Sequence, residues 1–513
     1  MTFFESLLVL LLAAIFLLQV ARRLSLPYPA MLAAAGVVVA LIPGSPSIQF
    51  APETARALFI APALVDAAFD FPPGAARRLW GPLVALAIFA VLATAAVVAW
   101  VGWAFAGLPI AAAIALGAIV APPDAAAASA VLTAVSIPRS TEVVLKGESL
   151  FNDATALLLF SGAITIQSHN SFDLAAGLRL TMAVPGGVLF GIACALIVRR
   201  INRFVVGTLG GNLLQFVFSY LIWIGADHLG LSAVLATIAF AMTAARSSEL
   251  NSSARMRVHS YAVWSAVVFA LNVFAFLLMG MQGRSILAQM AAPRFREALA
   301  FAGLVVLAVV VTRIVVIIGF NRVTAWWNRR HGRPEPGTWR QALLVGWSGM
   351  RGFVTLATAF ALPASFPQRD LVVLTAFSVV LATLVVQGLT LAPLIRRLKL
   401  NSNDVQKQEL IGARASLASA ALSTLQRETG PEVENLRYAY LLERDAEDNP
   451  SRCRSLDHRR KCGLAAITAK RAELEKLRGD DRVGAGTYLL LQEELDWNEL
   501  TLLSDEERRI EES

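Results

Sequence analysis

Charged residues, cysteine and histidine are all scarce in this chain of 513 residues. Asp, Glu, Lys and Arg make up 16% of the sequence, compared with about 25% in an average soluble domain. The three cysteines, Cys194, Cys453 and Cys462, indicate no disulfide framework. The acids within apolar segments also lack the His and Cys neighbours of a metal or nucleophile site, which argues against an enzyme.

Long apolar runs dominate the sequence instead. Hydrophobic residues form 56% of the chain and the mean hydropathy is +0.61, too apolar for a soluble protein of this size. The apolar runs recur up to residue 400 and then stop. We therefore expect an all-α polytopic membrane domain over residues 1–400 and a helical cytoplasmic tail over residues 401–513. The N-terminal run lacks a basic segment and a small-residue cleavage site, so we expect a retained first helix.

Hydropathy and turn residues predict about thirteen transmembrane helices. Their expected ranges are 5–20, 28–43, 53–70, 79–106, 109–135, 141–168, 172–200, 209–229, 231–246, 260–288, 296–321, 339–363 and 369–398.

Lys and Arg are unevenly divided between the two sides of this topology. With the N-terminus outside, the inward loops hold 20 of them and the outward loops hold 6. The positive-inside rule therefore predicts an external N-terminus and a cytoplasmic tail in the plasma membrane, a bacterial inner membrane. The basic residues are scattered singly and in pairs between apolar runs, which argues against a nucleic-acid partner.

Two of the predicted helices contain helix-breaking residues. In the fifth, two consecutive prolines precede Asp124, and in the twelfth three glycines surround Arg351. Interrupted helices at membrane depth are tolerated where they line a cavity, and paired interruptions indicate a transporter site. Because these helices are seven positions apart, we predict two inverted six-helix repeats whose broken helices cross near the midplane.

The segment 146–160, KGESLFNDATALLLF, places polar side chains inside an apolar run. Glu148 and Asn152 are four residues apart, as are Ser149 and Asp153, so each pair shares a helix face. A carboxylate at the bilayer centre costs about 2.5–3.5 kcal/mol on insertion scales. Such a cluster is therefore predicted to bind a cation or a proton.

Asp66, Asp124, Arg313 and Arg351 also fall within predicted helices. The arginines stay charged at any ordinary pH, so they need carboxylate partners, and Glu148 is the natural partner for one of them. Oxygen atoms from Asp153, with those of Asp124, Ser149 and the broken-helix backbone, suit a small hard cation such as Na⁺. Since the same carboxylate binds a proton, the two ions compete, and exchange follows if only the occupied carrier crosses.

A series of sequence patterns in this order resembles the monovalent cation/proton antiporters, the branch with NhaP-type and animal sodium/proton exchangers. The match covers about residues 5–400. The patterns are LFIAPALVDAA (58–68), APPDAAAA (121–128), GESLFNDATALLLF (147–160), GWSGMRGFVTLATAFALP (346–363) and VVLATLVVQGLTLAPLIRRL (379–398), with weaker matches in ADHLGLSAVLA (226–236) and VWSAVVFALNVFAFLLMG (263–280).

The resemblance implies a homodimer with a mobile six-helix core and no cofactor. It implies that Asp153 is the shared ion site with Asp124, Ser149 and Asp66 nearby, and that Glu148 pairs with an arginine, Arg313 in preference to Arg351. Asn152 beside Asp153 is similar to the electroneutral branch.

Two positions depart from the family pattern. Pro123 stands where threonine is common, and Asp66 stands where glutamate is usual. Electroneutral Na⁺/H⁺ antiport is the first expectation, and exchange of K⁺ or a broader range of monovalent cations is the alternative. A cation channel or an ion-sensing protein is a third class. The channel is disfavoured because the sequence has no repeated pore segments, and the acidic tail is the feature that would suit a sensor.

Overall fold

The computed structural model describes a chain built of helices. The described residues are 3–24, 27–41, 52–69, 71, 73–124, 127–128, 139–169, 174–202, 204–205, 208–248, 254–282, 292–332, 337–400, 403–445, 450–480 and 482–503. No β-strand occurs among them. They form two compact units, which divide between residues 401 and 402.

The first unit contains fifteen α-helices in its described part, and a π-turn at Thr383–Gln387 joins the last two. The α-helices are α1 (Phe3–Leu24), α2 (Tyr28–Leu41), α3 (Pro52–Phe69), α4 (Pro73–Ala106), α5 (Ile110–Val120), α6 (Arg139–His169), α7 (Leu174–Asn202), α8 (Leu209–His228), α9 (Ala233–Ser248), α10 (Ala254–Met281), α11 (Ala292–Arg330), α12 (Trp339–Trp347), α13 (Phe353–Phe360), α14 (Arg369–Ala382) and α15 (Gly388–Leu398).

Six helical segments in the described residues are long and apolar enough to cross a membrane: α4, α6, α7, α10, α11 and the run from α14 to α15. The helix α11 has one apolar face that is exposed and one that is buried in the protein. Leu307, Val311 and Val315 are exposed at intervals of four residues, whereas Val305 and Val309 are buried. An apolar stripe of this kind faces lipid in a membrane protein. The thirteen crossings and the inverted repeats stay predictions.

The predicted interruptions occur in both broken helices. The helix α5 ends at Val120, and residues 121–124 are not helical, because Pro122 and Pro123 have no backbone N–H to continue it. The chain is also unwound at residues 348–352, between α12 and α13. The part of the expected helix 109–135 that covers residues 129–135 lies outside the described residues. The thirteenth expected helix, 369–398, is helical throughout but contains the π-turn.

Glycines allow several helix pairs to approach each other closely. A Cβ at Gly280 on α10 would lie 2.1 Å from the carbonyl oxygen of Ala33 on α2, and one at Gly36 would lie 2.3 Å from that of Leu277. Gly191 of α7 has the same relation to Ala236 of α9, at 2.1 Å. Small residues at membrane helix interfaces increase van der Waals contact, which drives helix association where lipid removes the hydrophobic effect.

The second unit contains α16 (Asn403–Leu425), α17 (Pro431–Arg444), α18 (Pro450–Gly479) and α19 (Ala485–Leu502). Ile467 and Leu474 of α18 pack with Tyr488 and Leu495 of α19 in a small core. Arg471 adds ion pairs from α18 to two carboxylates of α19. The tail therefore has its own apolar core, which distinguishes it from an unstructured extension.

The close approach of α2 and α10 predicts that Gly280→Ala destabilises the protein. The new methyl group would overlap a backbone oxygen, and overpacking of this kind costs about 1–3 kcal/mol. Gly303→Ala on α11 is the matched control, because nothing lies within 4 Å of a Cβ there. Thermal unfolding of the purified variants in detergent measures the effect. Equal melting temperatures for both variants would contradict the packing of α2 on α10.

Candidate functional site

The helix α6 carries a row of buried polar groups where it packs against α4 and α5. Glu148, Asn152 and Asp153 are 1%, 0% and 7% exposed, and Ser149 is half-buried. The four-residue spacing places Glu148 above Asn152, and Ser149 above Asp153. Each of these groups must find a partner or bind an ion, because hydrocarbon provides neither.

Glu148 is joined to Arg313 of α11 by a two-point ion pair. The Nη1 and Nη2 atoms of Arg313 donate to the two carboxylate oxygens at 2.7 and 3.1 Å. Nη2 also donates to the carbonyl oxygen of Val345 at 3.4 Å. A Cβ at Gly349 would lie 2.1 Å from the Nε atom of Arg313, so the glycine makes room for this guanidinium. The pair is the one that the resemblance implies.

Arg351 lies in the unwound segment between α12 and α13 and is fully buried. Its Nε and Nη2 atoms donate to the carbonyl oxygens of Val120 and Ala121 at 3.0 and 3.2 Å, and Nη1 donates to that of Gly349. The carbonyls at residues 120 and 121 are the end of α5, where a helix has unpaired acceptors and a partial negative charge. Arg351 therefore caps the broken fifth helix.

Asp124 performs the opposite task for α13. Its Oδ2 atom accepts from the backbone N–H of Phe353, the first residue of α13, at 3.2 Å. Its own N–H donates to the carbonyl oxygen of Met350 at 2.7 Å, which joins the two unwound segments directly. A Cβ at Gly352 would lie 1.5 Å from Oδ2, so only glycine leaves space for this carboxylate. Asp124 thus stabilises the positive end of α13.

Asn152 connects α6 to the first of these breaks. Its Nδ2 atom donates to the carbonyl oxygen of Pro123 at 3.0 Å. Its Oδ1 atom is buried and has no hydrogen-bond partner among the described residues. A buried amide oxygen without a donor is costly unless something else satisfies it. A bound cation or a protonated group would satisfy this oxygen atom.

Asp153 is the carboxylate of the cluster without a counter-charge in the described structure. The Arg313 side chain is paired with Glu148, and Arg351 is bonded to backbone carbonyls. Asp124 is close enough to Asp153 for the two carboxylates to repel each other. Asp153 is therefore the member of this group whose charge no basic side chain among the described residues compensates.

The structure brings together most of the residues that the sequence analysis selected. Asp66 is half-buried on α3, and Phe59 of the same helix contacts Phe353 at the start of α13 with ring centroids 4.8 Å apart. Ser149 lies one turn before Asp153 on α6. For both residues, participation in ion binding stays a prediction. The described residues contain no group of three or more His, Cys, Asp or Glu side chains arranged for a resident metal.

Sequence reasoning missed two hydroxyl acceptors, one in the π-turn and one in α15, that bind residues at the second break. Thr383 accepts from the backbone N–H of Arg351 at 3.0 Å, and Thr390 accepts from the Nε1 atom of Trp347 at 2.9 Å. Both threonines stand in an apolar run, where a hydroxyl group bonded to its own helix is ordinary. The only sequence feature that could have indicated their role is that each is a single polar residue in an apolar run.

The buried pair predicts that Glu148→Gln destabilises the protein strongly, because it leaves the Arg313 charge uncompensated. Removing one partner of a buried ion pair costs about 3–5 kcal/mol. The double variant Glu148→Gln/Arg313→Gln should recover part of the lost stability, measured as the melting temperature in detergent. A double variant less stable than the single one would show that the pair is not the cause.

The whole membrane part of the sequence matches a known family. The family described as "Sodium/hydrogen exchanger, transmembrane" matches residues 7–397. A curated relative from Bacillus pumilus (strain SAFR-032) is the "Sodium, potassium, lithium and rubidium/H(+) antiporter", 27% identical over 93% of this chain and 74% of its own. The "Uncharacterized Na(+)/H(+) exchanger YjcE" of Escherichia coli (strain K12) is 27% identical over 94% of this chain and 95% of its own.

A solved structure has the same fold. The sodium proton antiporter MjNhaP1 from Methanocaldococcus jannaschii, at pH 8, aligns with a TM-score of 0.56 and 18% identity over 78% of this chain and 99% of its own. The relatives are antiporters, which are transporters rather than enzymes. With the family match over residues 7–397, these comparisons identify the chain as a membrane-embedded member of the sodium/hydrogen exchanger family.

Proposed function

We propose that the protein exchanges Na⁺ for H⁺ across the plasma membrane by alternating access, with Asp153 as the carboxylate that both ions share. The supporting observation is that Asp153 is buried without a counter-charge among the described residues, directly after Asn152, whose buried Oδ1 atom has no hydrogen-bond partner among them. Carboxylate and amide oxygens are ligands that hard monovalent and divalent cations accept. Na⁺ and H⁺ are substrates here, and no cofactor takes part.

The proposed cation site consists of Asp153, Asn152 and Ser149 from α6, with Asp124 and Asp66 as its other oxygen donors. Asp124 has a double task, because it also caps α13 through Phe353. A cation near Asp153 would reduce the repulsion between Asp153 and Asp124, which favours binding of the cation between these two carboxylates.

The adjacent Asn152 and Asp153 support an electroneutral exchange. Asn152 carries no charge, so one Na⁺ or one H⁺ cancels the same single negative charge, that of Asp153. The loaded site then carries the same charge in both transport directions, whereas the empty site carries one more negative charge and is more costly to move through a low-dielectric region. One ion exchanged for the other transfers no net charge.

The resemblance and the loop charges support the rest of the assembly. We propose a homodimer in which a six-helix core moves in an elevator-like manner past the dimerisation helices. The excess of Lys and Arg in alternate loops supports an external N-terminus and a cytoplasmic tail.

Broader cation selectivity is the second candidate function. The relative from Bacillus pumilus is named for sodium, potassium, lithium and rubidium, and it aligns with 93% of this chain. Asp66 also has a shorter side chain than the glutamate usual in the family pattern. Exchange of K⁺ or Li⁺ for H⁺ would use the same carboxylate and the same charge balance.

Replacing the shared carboxylate should abolish exchange. In liposomes with an internal pH dye, Asp153→Asn is expected to reduce cation-driven proton movement to the level of empty liposomes, because an amide cannot take up the proton. Asp227→Asn, at an exposed position at the end of α8, is the matched control and should retain exchange.

The folded state of Asp153→Asn must be checked by size-exclusion chromatography and thermal unfolding, so that loss of transport is not loss of structure. Retained exchange in a folded Asp153→Asn variant would refute the central role of Asp153.

The exchange rate should not depend on the membrane potential. Na⁺, Li⁺ and K⁺ are added in turn to wild-type liposomes under a pH gradient, with the potential set by potassium and valinomycin. Equal rates at different potentials are expected for one-for-one exchange. A cation whose addition causes proton movement is a substrate. A rate that follows the potential would contradict the one-for-one ratio while retaining antiport.

A further inference from the structure

Gln387 is a buried polar residue that the proposed ion site does not use. It is the last residue of the π-turn Thr383–Gln387, and it is 1% exposed. Neither its Nε2 nor its Oε1 atom has a hydrogen-bond partner among the described residues. Burial removes water from both the donor and the acceptor of this amide, and no hydrogen bond among the described residues offsets the free-energy cost.

The π-turn lies against the unwound segment 348–352. The backbone N–H of Arg351 donates to Thr383, four residues before Gln387, and the indole N–H of Trp347 donates to Thr390, three residues after it. The Sδ atom of Met350 would lie 3.7 Å from a Cβ on Gly388, the next residue along the chain. Gln387 is thus bracketed by contacts to the broken helix.

The neighbouring hydroxyl groups already use their own donors. Thr383 donates to the carbonyl oxygen of Val379 at 2.8 Å, and Thr390 donates to that of Val386 at 2.6 Å. Ser348, the buried hydroxyl of the unwound segment, donates to the carbonyl oxygen of Val345 at 3.1 Å. None of these three groups donates to Oε1 of Gln387. The described residues therefore leave both polar atoms of the amide without a partner.

The chemistry of the amide selects that partner. A cation would satisfy Oε1 but repel the Nε2 group, and an anion would do the reverse. A water molecule can donate to Oε1 and accept from Nε2 or from a neighbouring N–H, and buried waters typically make about three such bonds. A π-turn, which is frequent at functional sites, provides the local widening of the helix that a water requires.

We propose that Gln387 holds a buried water molecule against the unwound segment 348–352, on the side of α14 and α15. The water completes the hydrogen bonds of the amide and supports the segment that carries Arg351 and Met350. Gln387 is then a positioning residue: it acts on the unwound segment 348–352 through the water and does not touch the transported cation. Its effect on exchange rests on the proposed function, whereas the water site itself does not.

Radiolytic hydroxyl-radical labelling tests the water site in the full-length protein. Radicals formed from a bound water oxidise the nearest reactive side chain, and Met350 is only 1% exposed to bulk solvent. Oxidation of Met350 is expected in the wild type, measured by mass spectrometry of its peptide. Met279 on α10 is also 1% exposed and has no assigned water, so it is the internal control and should remain unlabelled.

Three variants test whether a water held by Gln387 causes the oxidation of Met350. Gln387→Leu and Gln387→Met remove the amide, and the Met350 label should fall to the level of Met279. Gln387→Glu keeps oxygen acceptors, and the label should persist. No label in the wild type would overturn the proposal, and a label that persists in Gln387→Leu would assign the water to the ion site instead.

Transport kinetics test the positioning role. For Gln387→Met, the maximal exchange rate should fall while the KM for Na⁺ stays unchanged, with recovery in Gln387→Glu. A lost label with an unchanged maximal rate, or a raised KM, would refute positioning. If the wild type exchanges no cation, the proposed function fails, and the labelling result still decides whether the water is present.

Discussion

The site depends on the reciprocal capping of two broken helices. Each break creates a helix end inside an apolar environment, where unpaired backbone groups are costly. Arg351 from the second break covers the carbonyl end of α5, and Asp124 from the first covers the N–H end of α13. Neither break is stable by itself in this environment, so the two interruptions need each other.

This arrangement explains how a charged site can remain inside the membrane part. Arg351 and Asp124 are occupied with helix ends, and Arg313 is occupied with Glu148. Each structural charge therefore has a fixed partner within the fold. Asp153 has no such partner among the described residues, which is the basis for proposing it as the carboxylate that binds the ion. The hydrogen bond from Asn152 to Pro123 keeps α6 beside the unwound end of α5.

Local chemistry decided which features could be predicted from the sequence. The two breaks were predicted because proline lacks an N–H and clustered glycines weaken a helix, and both effects depend on neighbouring residues only. The residues alone required an arginine for Glu148, and the family resemblance indicated which one. The cap from Asp124 to Phe353 joins positions 229 residues apart, beyond any local pattern. The π-turn ending at Gln387 gave no signal, because it contains neither proline nor glycine.

The glycine contacts have a consequence for how the protein can move. At Gly36 and Gly280, and at Gly191, backbone meets backbone with no side chain between the helices. Sliding one helix past the other would bring a Cβ of a neighbouring residue into a space that holds none, so α2 with α10 and α7 with α9 each behave as one rigid body. Close-packed interfaces change by switching between discrete arrangements, not by gradual deformation. Any shear surface must therefore pass between these two helix pairs and not through either of them.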